Sequence, residues 1–184
     1  MFNAIQPETA SSEALAALNE AKSQFGAVIN LFKVTANGPN VLKGIAAFNR
    51  ELSESIELTP AETELVAMLT SALNHCDYCV NVHMQIGKMH KLSEEDLVEA
   101  LSARAQSPRN QALLDYTNEL VRNRGRVSKR AIDNAIAEGF SQKALLEVIG
   151  VVGVYTSLQY IRHVADPEHD FPRVKQFNAC EHGA

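Results

Sequence analysis

A serine or threonine placed directly before a helix-forming run recurs along this chain, and no segment alternates apolar and polar residues as a half-buried strand would. Ser11 or Ser12 can cap a helix to about Gln24, with Gly26 just past its end. The stretch "NLFKVTANGPNVLKGIAAFNREL" reads as two helices broken at Asn37-Gly38-Pro39. In "TPAE", Thr59 is the expected N-cap, Pro60 the first helical residue and Glu62 the reciprocal cap. Ser93 with Asp96 opens a short helix, and Ser107-Pro108 opens a longer one closed by Gly125. Ser128 starts the next, ended by Gly139; Ser141 starts the last, which runs to about Ala165 and stops at Asp166-Pro167. Leu113, Leu114, Thr117, Leu120 and Val121 show the three- and four-residue steps of a buried helical face. The reading is an all-α fold of roughly seven to nine helices. "LTPAETELVAM" and "FSQKALLEVIG" both begin an apolar helix after a Ser/Thr cap, which hints at a duplicated helical hairpin; only the first is followed by cysteines.

With 184 residues, 46% of them hydrophobic, the chain can bury one core, and a single domain is expected. Within it we distinguish an N-terminal helical extension (about 1–55), a core carrying the cysteine motif (about 56–172) and a polar tail (173–184). A net charge of -5 with no basic patch argues against nucleic acid. No uninterrupted apolar run approaches the ~20 residues of a bilayer span, so no membrane association is expected. The start, "MFNAIQPETASSEA", has neither a basic n-region nor an apolar h-region, which points to the cytoplasm. Structural disulfides are uncommon there, and a C-x-x-C more often serves catalysis or metal binding.

That motif lies in "HCDYCVNVH", residues 75–83. Asn74, with Asp77 three residues on, is the expected cap of a helix restarting near Cys76. Cys76 then falls in the first turn and Cys79 about one turn later, where the helix's positive end favours thiolate. Cys79 and His83 share a helical face, and Cys76 and Cys79 are near enough to form a disulfide. A base beside a thiol, with a second thiol beside that, is the minimum kit for reversible oxidation. Glu64 sits on the preceding apolar stretch "ELVAMLTSAL". On one continuous helix it would project roughly 100° from His83, and a kink at Asn74 would bring the two closer. Buried, Glu64 needs a partner, and His83 is the natural one; the other reading leaves Glu62 and Glu64 exposed.

Other readings stay open at this point. The two cysteines can be inert packing thiols, or can ligate zinc together with His83 and either His75 or His90. A c-type haem is excluded because no histidine directly follows the second cysteine. His75 reads as a helix-start or solvent residue that can tune Cys76. His90 reads as a helix C-terminal residue, and Tyr155 and His163 on the last helix read as packing, with lining of the pocket as the other reading. Met84 and Met89 read as core, Cys180 in "FNACEHGA" as an exposed bystander, and "RNRGRVSKR" as a solvated helix end and loop.

The four residues at full spacing are more specific than the C-x-x-C alone. Glu64, Cys76, Cys79 and His83 form E-x11-C-x-x-C-x-x-x-H, which resembles the core motif of AhpD-like alkylhydroperoxidases in the carboxymuconolactone decarboxylase superfamily. The flanks "NLFKVTANGPNVL", "LTPAETELVAMLTSALNHCDYC" and "GFSQKALLEVIGVVGVYTSLQYIRHVADPEHDFP" extend the resemblance over about residues 25–172. It implies an AhpD-like helical bundle, homo-oligomeric as a trimer or hexamer. It implies a thiol-dependent peroxidase that reduces hydroperoxides through a redox-active Cys76–Cys79 disulfide, with no metal or other cofactor. Carried over, Cys79 attacks the peroxide, Cys76 resolves, and Glu64 with His83 relays protons. The expected reductant is an external dithiol, such as a lipoylated protein or another thiol donor. One departure stands out: Tyr78 occupies the place where the best-characterised members have histidine, and tyrosine is a poor base near neutral pH. A redox-responsive oligomer, or a disulfide reductase with little peroxidase turnover, is therefore the alternative. Lactone decarboxylation, the superfamily's namesake reaction, has no need of vicinal thiols.

Overall fold

The serine and threonine caps expected from the sequence form as side-chain hydrogen bonds in the computed structural model, which describes residues 2–54, 56–175 and 177. After a short 3-10 turn at Pro7–Thr9, the described residues form nine α-helices and no strand. They are α1 (Ser12–Phe25), α2 (Asn30–Thr35), α3 (Pro39–Ser53), α4 (Pro60–Leu73), α5 (Asp77–Met89), α6 (Glu94–Ala100), α7 (Pro108–Arg122), α8 (Lys129–Ala137) and α9 (Gln142–Ala165). Thr59 and Glu62 close a reciprocal capping box on α4, and Ser93 and Asp96 do the same on α6. Ser11, Ser107, Ser128 and Ser141 each accept a backbone N–H from the first turn of the helix that follows. Gly26 ends α1 in the left-handed region at φ 82°, where a Cβ would be strained.

The chain divides into two compact units, Met1–Ser55 with Ser157–Asp170, and Ile56–Thr156 with Phe171–Ala184. In the first, α1 packs on α3 through Ala14, Ala17, Leu18, Ala21, Leu42 and Ala46, all buried. The small alanines let the helices approach closely. Both carboxylate oxygens of Asp170 accept the Asn30 N–H at 3.1 Å and so cap α2.

The second unit is built around α4. Every residue from Glu64 to Ala72 is buried, because α5, α6 and α7 pack around this helix. Leu65, Met68, Leu69, Val80, Met84, Leu97, Leu114 and Phe177 belong to one apolar cluster. The segment entering α4 is fixed by Glu147 of α9, whose carboxylate accepts the N–H groups of Glu57 (2.8 Å) and Leu58 (3.3 Å).

One expectation is corrected at α9. The sequence reading found no run long and apolar enough to cross a bilayer, yet α9 has 24 residues and an 18-residue window of mean hydropathy 1.5. Gly150, Gly153, Thr156 and Ser157 interrupt the apolar run without costing much hydropathy. Its Val148, Val151 and Val154 are buried in the protein, at the spacing of a core-facing stripe.

Candidate functional site

The site forms where α4 stops and α5 begins. Asn74 caps the end of α4 in a bridge-region conformation, and His75 then turns the chain through the left-handed region at φ 54°. Cys76 is itself the N-cap of α5, its sulfur accepting the Cys79 N–H at 3.3 Å. The sequence reading gave this cap to Asn74 and placed Cys76 within the first turn. The reversal needs the three residues Asn74 to Cys76, so the cap falls two positions later and a thiol sulfur fills it. The Asn74 amide instead donates to the Thr156 hydroxyl of α9 at 3.2 Å.

Cys76 and Cys79 are joined as a disulfide with their Cα atoms 5.3 Å apart. The two ends differ in access: Cys76 is 0% exposed and Cys79 5%. The Cys76 sulfur also accepts the Cys79 N–H at the positive end of α5, an arrangement that favours negative charge on it.

Glu64 and His83, 19 residues apart, meet because the turn folds α5 back on α4. Glu64 Oε2 lies 2.9 Å from His83 Nδ1, and both residues are 4% exposed. Of the two sequence readings for Glu64, burial against His83 is the one the structure adopts; Glu62 is buried too, paired to Arg109 at 2.6 Å. A carboxylate oxygen only accepts, so Nδ1 carries the proton and Nε2 is left for exchange. His83 follows Cys79 by one helical turn on the same face of α5.

A third side chain reaches this pair. The Tyr155 ring of α9 packs edge-to-face on His83 with centroids 4.5 Å apart. Burial and, second, the charge of Glu64 push the Tyr155 hydroxyl pKa well above the ordinary tyrosine range, so it remains protonated. The sequence reading treated Tyr155 as packing; it does pack, and the surface it packs on is the acid–base pair. No local spacing links residues 83 and 155.

The other candidates scatter. Tyr78 points into the core at 1% exposure. His75 is partly buried, and its Nδ1 has no hydrogen-bond partner among the described residues. His90 is the exposed C-cap of α5, and His163 is exposed in the other unit. Met84 is core, but Met89, the last residue of α5, is 78% exposed, contrary to expectation. The "RNRGRVSKR" stretch is exposed except at Val127, and Cys180 lies outside the described residues. Among the described residues no three His, Cys, Asp or Glu side chains converge as metal ligands.

Asn81 was also missed. It is buried, and its side-chain oxygen accepts the Val174 N–H at 2.7 Å. Arg173 lies 3.6 Å from Asp77, so Arg173 and Val174 lie against α5 near the disulfide turn, and Phe177 belongs to the core.

The fold is shared with solved structures. A peroxidase-related protein from Ralstonia eutropha JMP134, described as an alkylhydroperoxidase AhpD core, superposes with a TM-score of 0.76 at 18% identity, over 95% of this chain and 92% of its own. A peroxidase-related protein from Silicibacter sp. TM1040 gives 0.75 at 17% identity, over 92% and 94%. The debrominase Bmp8, as a cysteine-to-alanine variant in complex with 2,3,4-tribromopyrrole, gives 0.77 at 12% identity, over 92% and 91%. No curated protein matches the sequence significantly. Residues 39–119 match the carboxymuconolactone decarboxylase family, and the fold they belong to is the one seen in the AhpD-like, peroxidase-related structures.

Proposed function

We propose that the protein is a thiol-dependent peroxidase that reduces hydroperoxides with the Cys76–Cys79 pair. The observation that carries this reading is the buried Glu64–His83 pair at 2.9 Å, one helical turn from a disulfide. The fold does not choose, since a debrominase shares it; what supports the reading is the thiol pair with a base one helical turn away.

In the reduced protein, His83 Nε2 accepts the Cys79 thiol proton while Glu64 holds the imidazolium through Nδ1. The Cys79 thiolate attacks the terminal oxygen of the hydroperoxide. The O–O bond breaks, the alcohol leaves with the proton returned by His83, and Cys79 becomes a sulfenic acid. The Cys76 thiol then displaces water from that sulfur and closes the disulfide. An external dithiol, from a lipoylated protein or another thiol donor, restores both thiols and is itself oxidised to a disulfide. Cys79 is the end a reductant reaches, because Cys76 is wholly buried, and Cys76 is the better leaving thiolate because a helix start stabilises it. The working form in this reading is a cytoplasmic homo-oligomer, a trimer or hexamer, that uses no metal or organic cofactor.

A second reading is favoured by Tyr78. It stands where the best-characterised members have histidine and is a poor base near neutral pH, which leaves His83 as the base and favours disulfide exchange or redox switching of the oligomer over peroxide turnover. Peroxide consumption under excess dithiol separates the two. The peroxidase reading expects turnover by wild type and none by Cys79→Ser. Turnover by Cys79→Ser at the wild-type rate refutes it, and disulfide formation without catalytic consumption supports the second.

A further inference from the structure

We infer that Tyr155 is the positioning residue of His83, the side chain that fixes the plane of the imidazole facing Cys79. This deepens the proposed thiol chemistry and rests on His83 serving as the base of Cys79.

The Glu64–His83 hydrogen bond fixes where Nδ1 points, but one bond along one direction leaves the ring free to rock about that axis. A second contact from another direction removes the freedom. Tyr155 supplies it, meeting the imidazole at an interplanar angle of 82° with centroids 4.5 Å apart. The contact comes from α9, so both the orienting carboxylate on α4 and the ring lie outside the helix that carries the thiol.

Tyr155 is itself held in place. The next residue, Thr156, accepts the side-chain amide of Asn74 at 3.2 Å, which ties this part of α9 to the turn presenting Cys76. Two consecutive residues of α9 therefore touch the two ends of the site, Tyr155 the base and Thr156 the thiol turn. The phenol is also suited to the place chemically. It stays neutral beside Glu64, so it adds no second negative charge to compete for the imidazolium. The groups that face it are Glu64 from α4 and His83 from α5.

The role assigned is to the ring and not to the hydroxyl, which makes the conservative variant decisive. The test uses the full chain in a Cys76→Ser background, reduced, so that Cys79 is the thiol of the site. Cys180 alkylation is separated by peptide mass spectrometry. The rate of Cys79 alkylation by iodoacetamide is followed against pH for Tyr155, Tyr155→Phe and Tyr155→Leu, with circular dichroism confirming that all three fold. Tyr155→Leu is expected to raise the midpoint by about one pH unit and to slow alkylation below it about 10-fold, the size of losing one well-placed charge partner. Tyr155→Phe is expected to follow the parent. A Leu profile superimposable on the parent overturns the proposal, and so does a Phe variant as defective as Leu. Neither readout needs peroxide, so a wild type that alkylates as expected but consumes no peroxide sinks the peroxidase reading and leaves this one standing.

Discussion

Replacing Glu64 by glutamine removes one charge from the site and little else. The side chain keeps its size, and an amide oxygen can still accept from His83 Nδ1, so the buried bond at 2.9 Å is weakened and not abolished. What disappears is the negative charge beside His83, in a place where both partners are 4% exposed and water screens little. A hydrogen bond to a charged group contributes about 1.5–3 kcal/mol and a neutral one about 0.5–1.5 kcal/mol, so losing the charge while keeping the bond should cost about 1–1.5 kcal/mol and slow thiol activation roughly 5- to 13-fold. The assay is single-turnover oxidation of the reduced protein by hydrogen peroxide at neutral pH, read by loss of free thiol and checked against an unchanged folded baseline. Because Glu64 is argued to act through His83, Glu64→Gln combined with His83→Gln should be no slower than His83→Gln alone. A Glu64→Gln rate within twofold of wild type, or full additivity in the double variant, would refute the relay.

Two further predictions concern the frame. Gly87 lies on α5 where an added Cβ would sit 2.5 Å from Leu97 Cδ2 of α6, so Gly87→Ala should overpack that contact. The expected cost is about 1–2 kcal/mol despite alanine's better helix propensity, and a thermal midpoint above wild type would contradict it. Tyr155 and Tyr116 both have folded pKa values raised above the unfolded value, chiefly by burial. Their contribution is therefore whole below the unfolded tyrosine pKa of about 10 and is lost as pH rises beyond it. Denaturation between pH 9 and about 11 should show stability falling with pH, and falling less steeply in Tyr155→Phe; an unchanged slope would count against the burial of that hydroxyl.

Local chemistry explains what could be read in advance. A cap is settled by residues within four positions of each other, so Thr59 with Glu62, Ser93 with Asp96, and Gly26 announced their helix ends and behave accordingly. The Cys76, Cys79 and His83 cluster is equally local, lying within eight consecutive residues. Glu64 was recoverable because an acid in an apolar run demands a partner. The misreadings all involve contacts between distant segments or the details of a reversal. Asn74 looked like a cap until the length of the turn moved that role to Cys76. Tyr155 on His83, and Val174 on Asn81, are pairings across 72 and 93 residues that no spacing rule encodes. Met89 carried the periodicity of a core residue but is the exposed last residue of α5.

The most direct test of the central claim is to ask which sulfur peroxide oxidises. Reduced Cys76→Ser protein, treated with one equivalent of hydrogen peroxide in the presence of dimedone, should carry the sulfenic-acid adduct on Cys79, while wild type closes the Cys76–Cys79 disulfide and takes up none. An adduct found on Cys76 in the Cys79→Ser protein, with Cys79 left untouched in Cys76→Ser, would contradict the assignment of the attacking thiol and the proton relay built on it.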